Sequence, residues 1–244
     1  MQRLDDYTVV ITGANGGIAQ VVAQRLAEKG CQIVGVVRRN LGQLEEFLAG
    51  LPGQGHRAIL ADVTQASQLE QAAAEIGRCD VLVTTAGFSQ AIKFHDTDSL
   101  NDDLFDDILT ANLRSVFTCV RTFAPYLKKS PHGGLIVSIG SNAGISPGNG
   151  SNLAYASAKA GLEMLIKNLA LALGPEVRAV SVCPGALKTN WLQRNDQFYE
   201  REIEQTPLKR LGTVDDVAVT VEALITHLRF VTGESIIVDG GKSL

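Results

Sequence analysis

Apolar positions along this chain follow two rhythms. Short runs rich in β-branched residues occur at YTVVIT (7–12), QIVGVV (32–37), RAILAD (57–62), DVLVTT (80–85), GLIVSIG (134–140), VRAVSVC (177–183) and SIIVDG (235–240). Between most of them apolar residues recur at helical spacing, as in Val21, Val22 and Leu26, in Leu69, Ala72 and Ala73, in Leu104, Ile108 and Leu109, and in Leu162, Leu165, Ile166 and Leu169. The runs lack strict apolar/polar alternation, the pattern of strands covered on both faces. Seven such strands separated by helices predict an α/β fold, a doubly wound seven-stranded parallel sheet in a single domain over 1–244. Ligands of such sheets sit beyond the carboxyl ends of the strands, so the residues following each run are the candidates for function.

The segment after the sixth run, 184–212, opens with Pro184-Gly185 and closes near Pro207 and Gly212. It holds the only tryptophan, Trp191, with Phe198 and Tyr199. A substrate lid near 186–210 and an ordinary surface helix both fit this composition.

Composition removes several classes of function. With 244 residues, 45% of them hydrophobic, the chain is long enough to bury a substantial core. A net charge of −4 leaves no basic footprint for nucleic acid. Cys31, Cys79, Cys119 and Cys183 lie far apart without a Cys-x-x-Cys pair, which predicts buried free thiols in a reducing compartment. His56, His95, His132 and His227 show no ligand spacing, so no metal is expected. The opening MQRLDDYTVV has an acidic pair where a signal peptide would need its apolar stretch, and no apolar run approaches spanning length. The expectation is a soluble, cytoplasmic protein with no membrane partner.

Four stretches carry candidate chemistry. After the first run comes Thr12 and then GANGGIA (13–19), a glycine-rich strand-to-helix turn that would let backbone amides and a helix N-terminus approach a pyrophosphate. Its glycines do not follow the G-x-G-x-x-G spacing. The second run ends in Val37-Arg38-Arg39, where an NAD site would place an acidic residue for the ribose hydroxyls. A guanidinium fork suits a 2′-phosphate instead, which favours NADP; two solvated arginines at a helix entry are the bland alternative. Asp62-Val63, after the third run, is placed to meet an adenine, or Asp62 caps the helix beginning near Gln65. Finally, SNLAYASAKAGLE (151–163) separates Tyr155 from Lys159 by small residues only, which in a helix stacks a phenol and an ammonium one turn apart.

Taken together these residues resemble the short-chain dehydrogenase/reductase family over essentially the whole chain. The resemblance is carried by Thr12-Gly13 with Gly17-Ile18, Asp62-Val63, Ala86-Gly87, Asn112, Ser141, Tyr155-x-x-x-Lys159, Pro184-Gly185 with Thr189, and Val238-Asp239-Gly240-Gly241. It implies a Rossmann-type fold, a nicotinamide cofactor and the catalytic set Asn112, Ser141, Tyr155 and Lys159. Tyr155 would pass a proton to or from the substrate oxygen, Ser141 would donate to that oxygen, Lys159 would hold the nicotinamide ribose, and Asn112 would hold a water that feeds protons to Lys159. An unperturbed tyrosine titrates about three units above neutrality, roughly 4 kcal/mol from acting as a base, and a neighbouring ammonium is expected to narrow that gap. Cofactor contacts are implied for Gly13, Asn15, Gly17, Ile18, Arg38, Arg39, Asp62, Val63, Ala86, Gly87, Tyr155, Lys159, Pro184, Gly185, Leu187 and Thr189.

The chain departs from the family pattern at Ala19, in place of a third glycine, at Thr84-Thr85, where the family usually has two asparagines, and at Val180, in place of an asparagine. The stretches TPLKRLGTVDDVA and TGESIIVDGG resemble the branch that reduces 3-oxoacyl groups on a carrier protein. Against a carrier stand the aspartates at 96, 98, 102, 103, 106 and 107, and the replacement of basic residues by Ser130-Pro131-His132 and Pro175-Glu176. The function expected is NADPH-linked interconversion of a small free carbonyl and its secondary alcohol. An NAD-dependent sugar or polyol dehydrogenase, a carrier-bound 3-oxoacyl reductase and a non-catalytic dinucleotide-binding regulator are the alternatives. Helix faces rich in small and apolar residues at 104–123 and 154–173, with the family resemblance, predict a homotetramer.

Overall fold

Val9 and Ile11 point to one side of the first strand and Val10 to the other, and all three are fully buried. The same two-sided burial runs through the neighbouring strands of the computed structural model, which describes residues 3–189 and 196–244. The strands are β1 (Thr8–Thr12), β2 (Gln32–Val37), β3 (Arg57–Leu60), β4 (Val81–Thr84), β5 (Gly134–Ile139), β6 (Val177–Pro184) and β7 (Ser235–Val238). They form one parallel sheet in the order β3-β2-β1-β4-β5-β6-β7. Each strand run read from the sequence lies on one of these, with edges moved by a residue or two.

Helices α1 (Gly17–Glu28), α2 (Leu41–Ala49) and α8 (Val214–Thr226) cover one face; Val22, Leu26, Leu44, Leu48, Val217 and Leu224 meet Ile11, Ile33, Val83 and Val137 there. On the other face α3 (Ala66–Ile76), α5 (Ser115–Leu127) and α6 (Leu153–Leu173) bury Leu69, Val120, Phe123, Leu162 and Ile166 against Val10, Val34, Leu82 and Ile136. Fully burying one such side chain contributes roughly 1.5–3 kcal/mol, so the two cores hold the sheet's position between them. Helix α4 (Asp102–Leu109) enters on the Asn101 side chain, which accepts from the Leu104 amide, with Asp102 and Asp103 in its first turn. Part of the aspartate run therefore serves a helix N-terminus, where negative charge is favourable.

A five-residue π-helical turn, Thr110–Arg114, joins α4 to α5. Helix α7 (Asp196–Gln205) occupies the second half of the 186–210 segment and buries none of its residues. Trp191, with the rest of 190–195, lies outside the described residues. All four cysteines are free and buried. No helix among the described residues is long and apolar enough to cross a membrane, and no cluster of metal-ligating side chains occurs among them.

Helix α8 packs along α1, with the Val214 side chain near Gly17 at the entry of α1. Its own entry is a capping box: Thr213 Oγ1 accepts from the Asp216 amide at 3.1 Å, and Asp216 Oδ2 accepts from the Thr213 amide at 2.8 Å. Arg210 adds two hydrogen bonds to the same carboxylate and holds it well below the usual carboxylate range. Replacing Thr213 with Ala should cost about 1 kcal/mol of unfolding free energy, the ordinary value of an N-cap. Urea denaturation checks this; an unchanged midpoint would show that the cap contributes nothing.

Candidate active site

Strand β1 is flanked by β2 on one side and β4 on the other, so the connections leaving these strands part above it and open a crevice at the carboxyl edge. Gly13 stands at the base of this crevice with φ +67°. A Cβ there would come within 2.8 Å of the Ala86 backbone, so only glycine lets the first turn lie against the end of β4. The Gly13 amide donates to Val36 O at 2.9 Å, which joins the same turn to the end of β2. Helix α1 begins on Gly16 without a side-chain cap and without an acidic first-turn residue, leaving its first amides directed at the crevice. Gly17 and Ile18 open this helix, with Ile18 packed against the core behind.

Asn15 reaches across to the loop after β2, donating to Asn40 O at 3.2 Å, while its own Oδ1 is buried without a partner. Val37 is buried and offers no carboxylate. Arg38 and Arg39 are exposed beside it. Arg38 lies 3.7 Å from Asp62 Oδ2. Asp62 does not cap α3, whose N-cap is Gln65. Instead its Oδ1 accepts from the Thr64 amide and hydroxyl, at 2.9 and 2.8 Å, and Val63 packs onto the second core.

Where two asparagines would be usual, the two threonines make their own connections. Thr85 Oγ1 donates to Thr12 O at 2.6 Å and Thr84 Oγ1 donates to Ser138 Oγ at 2.8 Å, which ties β4 to β1 and β5 just below Ala86 and Gly87. Beyond β6, Gly185 donates its amide to Val238 O, and Leu187 bridges to Gly212. Pro184 ends β6, and Gly185, Leu187 and Thr189 follow it at the same carboxyl edge of the sheet that carries Gly13 after β1.

The second group of candidates gathers at the ends of β5 and α6. Ser141 follows β5 and starts a short 3₁₀ turn (Asn142–Gly144). Its oxygen accepts from the Ala143 amide at 3.1 Å, which leaves its proton available to another acceptor. Helix α6 starts on Asn152, whose Oδ1 accepts from the Tyr155 amide at 2.8 Å. The Asn152 amide nitrogen donates to Ser89 Oγ and Gln90 O, so one buried side chain fixes both the helix entry and the loop after β4. Lys159 is buried and donates from Nζ to Ile139 O at 2.7 Å, and its ammonium is 5.6 Å from the Tyr155 ring centroid. Asn112 sits in the π-helical turn and donates to Phe88 O at 2.7 Å and Ile108 O at 2.9 Å, with a buried Oδ1 that has no partner. Such turns are frequent at functional sites because they re-aim one side chain out of a helix.

Charge in this pocket is governed by desolvation. Burial pushes the Tyr155 phenol up to about 12, with Ser141 pulling it back and Cys183 adding to the rise. Burial also draws the Lys159 ammonium down to about 8, partly restored by Glu163. The expectation that the lysine would bring the phenol down is not what this structure shows. The ammonium is turned to the Ile139 carbonyl, and the loss of water around the ring outweighs it. At neutral pH the phenol holds its proton and the amine holds its charge.

The residues present fit a dinucleotide. The turn at Gly13 leaves a cradle that a Cβ would fill, the first amides of α1 are uncapped, and Asn15 Oδ1 and Asn112 Oδ1 are buried and unpartnered at the crevice. Two contributors escaped the sequence reading. Asn152 was visible as an Asn three residues before Tyr155 at a helix start, a spacing that signals an N-cap. Glu163 was visible as an acid one turn beyond Lys159 on a face otherwise apolar with Leu162 and Ile166.

Comparison with known proteins adds a family to this geometry. The family model described as enoyl-(acyl carrier protein) reductase matches residues 13–243. A Streptomyces violaceoruber protein named for ketoacyl reduction in the granaticin polyketide synthase is 35% identical over 240 residues, 96% of this chain and 95% of its own. An L-rhamnose 1-dehydrogenase (NAD(P)(+)) of Azotobacter vinelandii is 33% identical over 98% of this chain and 97% of its own. A 3-oxoacyl-[acyl-carrier protein] reductase of Brucella melitensis, solved with bound NAD, superposes with a TM-score of 0.88 at 27% identity, covering 100% of this chain and 94% of that one. The chain belongs to the short-chain dehydrogenase/reductase family and is an oxidoreductase acting between hydroxyl and keto groups with a nicotinamide dinucleotide. Within that family it is similar to the 3-oxoacyl-carrier-protein reductases.

Proposed function

We propose that the protein is an NADPH-dependent ketoreductase of small, free carbonyl compounds. The observation that carries this reading is the pairing of a protonated Tyr155 with the Ser141 hydroxyl that bears on it, at the ends of α6 and β5. A phenol that holds its proton at neutral pH is in the state an acid needs for carbonyl reduction. When bound, the reduced dinucleotide supplies the hydride. Ser141 then donates to the carbonyl oxygen as negative charge develops there, Tyr155 passes its proton to that oxygen, and the Lys159 ammonium supports the resulting phenolate. Lys159 keeps two N–H donors beyond the one given to Ile139 O, enough to hold a ribose as well. Asn112 Oδ1 is the acceptor left to order a water on the proton path.

Cofactor contacts are proposed for Gly13, Asn15, Gly17, Ile18, Arg38, Arg39, Asp62, Val63, Ala86, Gly87, Tyr155, Lys159, Pro184, Gly185, Leu187 and Thr189. The preference for NADPH rests on Arg38 beside a carboxylate-free Val37. Asp62 competes for that guanidinium, but an exposed pair at 3.7 Å contributes about 0–1 kcal/mol. A charge-assisted phosphate contact contributes roughly 1.5–3 kcal/mol, so the phosphate wins. The acidic face of α4, with Asp102, Asp103, Asp106 and Asp107 exposed, favours a free substrate over one delivered by an acidic carrier. The carrier-bound 3-oxoacyl reductase is the second reading, supported by the names of the relatives. A lid at 186–210 is proposed from the exposed helix α7, which buries none of its residues.

Assembly into a homotetramer is proposed from two separate apolar faces. Phe117 of α5 and Met164 of α6 are 45% and 58% exposed on one, and Val219 of α8 and Ile237 of β7 lie open on the other. Two self-complementary faces give a closed four-membered assembly.

Replacing Tyr155 with Phe should abolish ketone-dependent NADPH oxidation and leave cofactor affinity nearly intact. Activity surviving within about tenfold, ~1.4 kcal/mol of barrier, would contradict the acid role. For cofactor choice, kcat/KM should favour NADPH by about ten- to a hundredfold. The preference should collapse or reverse in a Val37→Asp, Arg38→Ala double variant, whereas equal wild-type efficiency with NADH would overturn it. Light scattering at micromolar concentration should report a tetramer, and a single 26.0 kDa species would contradict one.

A further inference from the structure

A buried acid lies directly beneath the proposed chemistry. Glu163 is one turn beyond Lys159 on α6 and is 6% exposed. Both of its carboxylate oxygens are occupied by hydroxyl donors from the sheet: Ser181 of β6 donates to Oε1 at 2.9 Å and Ser235 of β7 to Oε2 at 2.6 Å. A carboxylate enclosed in this way is costly unless its charge is compensated nearby, and no salt-bridge cation touches it among the described residues. The charged group that bears on it is the Lys159 ammonium.

Its placement also meets the backbone that carries the site. Gly140 lies between Ile139, whose carbonyl accepts from Lys159, and Ser141. A Cβ at Gly140 would come within 2.4 Å of Glu163 Oε1 and 2.5 Å of Ser181 Oγ. The carboxylate therefore packs directly under Gly140, the residue between Ile139 and Ser141. We infer that Glu163 is a positioning residue: held by Ser181 and Ser235, it keeps Lys159 charged and seats the segment that carries Ser141.

The inference rests on the proposed role of Lys159. The groups bearing on the ammonium are few. On its own helix they are Glu163 and the Tyr155 ring, from β5 the Ile139 carbonyl, and from β6 the Cys183 thiol, which burial pushes up to about 12 and so leaves neutral. Burial lowers the ammonium to about 8 and Glu163 works against that fall. The sign of its removal follows. Without the carboxylate the ammonium loses its proton at lower pH, and support for the Tyr155 phenolate is lost with it.

The test is the pH profile of ketone reduction in Glu163→Gln, which keeps shape and removes charge. Its alkaline fall in kcat/KM should begin about one unit lower than in the wild type, a loss of about tenfold near pH 9 once each profile is normalised near pH 6. Glu163→Asp, which retains the charge, should move the fall back toward its wild-type position. A variant that is less stable, or uniformly slower, with its alkaline limb unmoved would overturn the inference. Should Glu163→Gln fail to fold by circular dichroism, Ser235→Ala carries the test. With the Oε2 donor gone the carboxylate is free to swing away from the lysine, so the limb should move in the same direction by less, and an unmoved limb overturns the inference. The Tyr155→Phe profile separates the two claims. An inactive Tyr155→Phe with an unmoved limb in Glu163→Gln sinks only the role of Glu163, whereas an active Tyr155→Phe sinks both.

Discussion

The five central strands are buried on both faces, and that leaves the carboxyl edge of the sheet as the place where polar groups can gather. Side chains on β1, β2, β4, β5 and β6 alternate between two mainly apolar cores, and the buried hydroxyls of Thr84, Ser138 and Ser181 are each hydrogen-bonded. A parallel sheet built this way cannot host a catalytic group in its middle without an uncompensated polar burial. Polar chemistry is pushed to the turns, and the switch in strand order above β1 opens the crevice there. Gly13, Ala86, Ser141 and Gly185 are neighbours in space for that reason, though they are spread over most of the chain.

The same constraint sets the electrostatics. Helix α6 must lie flat on the sheet to bury Leu162, Ile166 and Leu169, so Lys159 and Glu163, on the same stripe, are buried with them. Water is excluded from the ammonium and reduced around the half-buried phenol, and desolvation moves each toward its neutral form. For the phenol the result is a hydroxyl with its proton in place at neutral pH. For the lysine it is a charge that depends on its few neighbours, with the Ile139 carbonyl and Glu163 foremost among them. Stability and chemistry share these side chains.

Much of this was legible in the sequence. The seven β-branched runs without alternation foretold a sheet covered on both faces, and the glycine-rich turn, Ser141 and the Tyr155–Lys159 spacing foretold what lies at its edge. Three features were not legible, each because it depends on contacts between distant segments. Thr84 and Thr85 looked like a departure that would alter the bonding of β4, but their hydroxyl partners, Ser138 and Thr12, appear only once the strands are paired. Asp62 looked able to cap α3, yet the chain turns back at Thr64 and satisfies it locally. The effect of Lys159 on Tyr155 was read from spacing along a helix, which says nothing of how much water the sheet removes. Glu163 passed unnoticed because its donors come from β6 and β7.

The proposed chemistry at this edge is hydride transfer between a nicotinamide and a carbonyl carbon, with the proton supplied by the protein. The most direct test is to incubate the enzyme with NADPH deuterated at the transferable C4 position and a panel of small ketones, and to analyse the product alcohols by mass spectrometry. The expected product is an alcohol carrying deuterium on the carbinol carbon, formed in step with cofactor oxidation. Cofactor left unoxidised across the panel, or alcohol formed without the label, would contradict it.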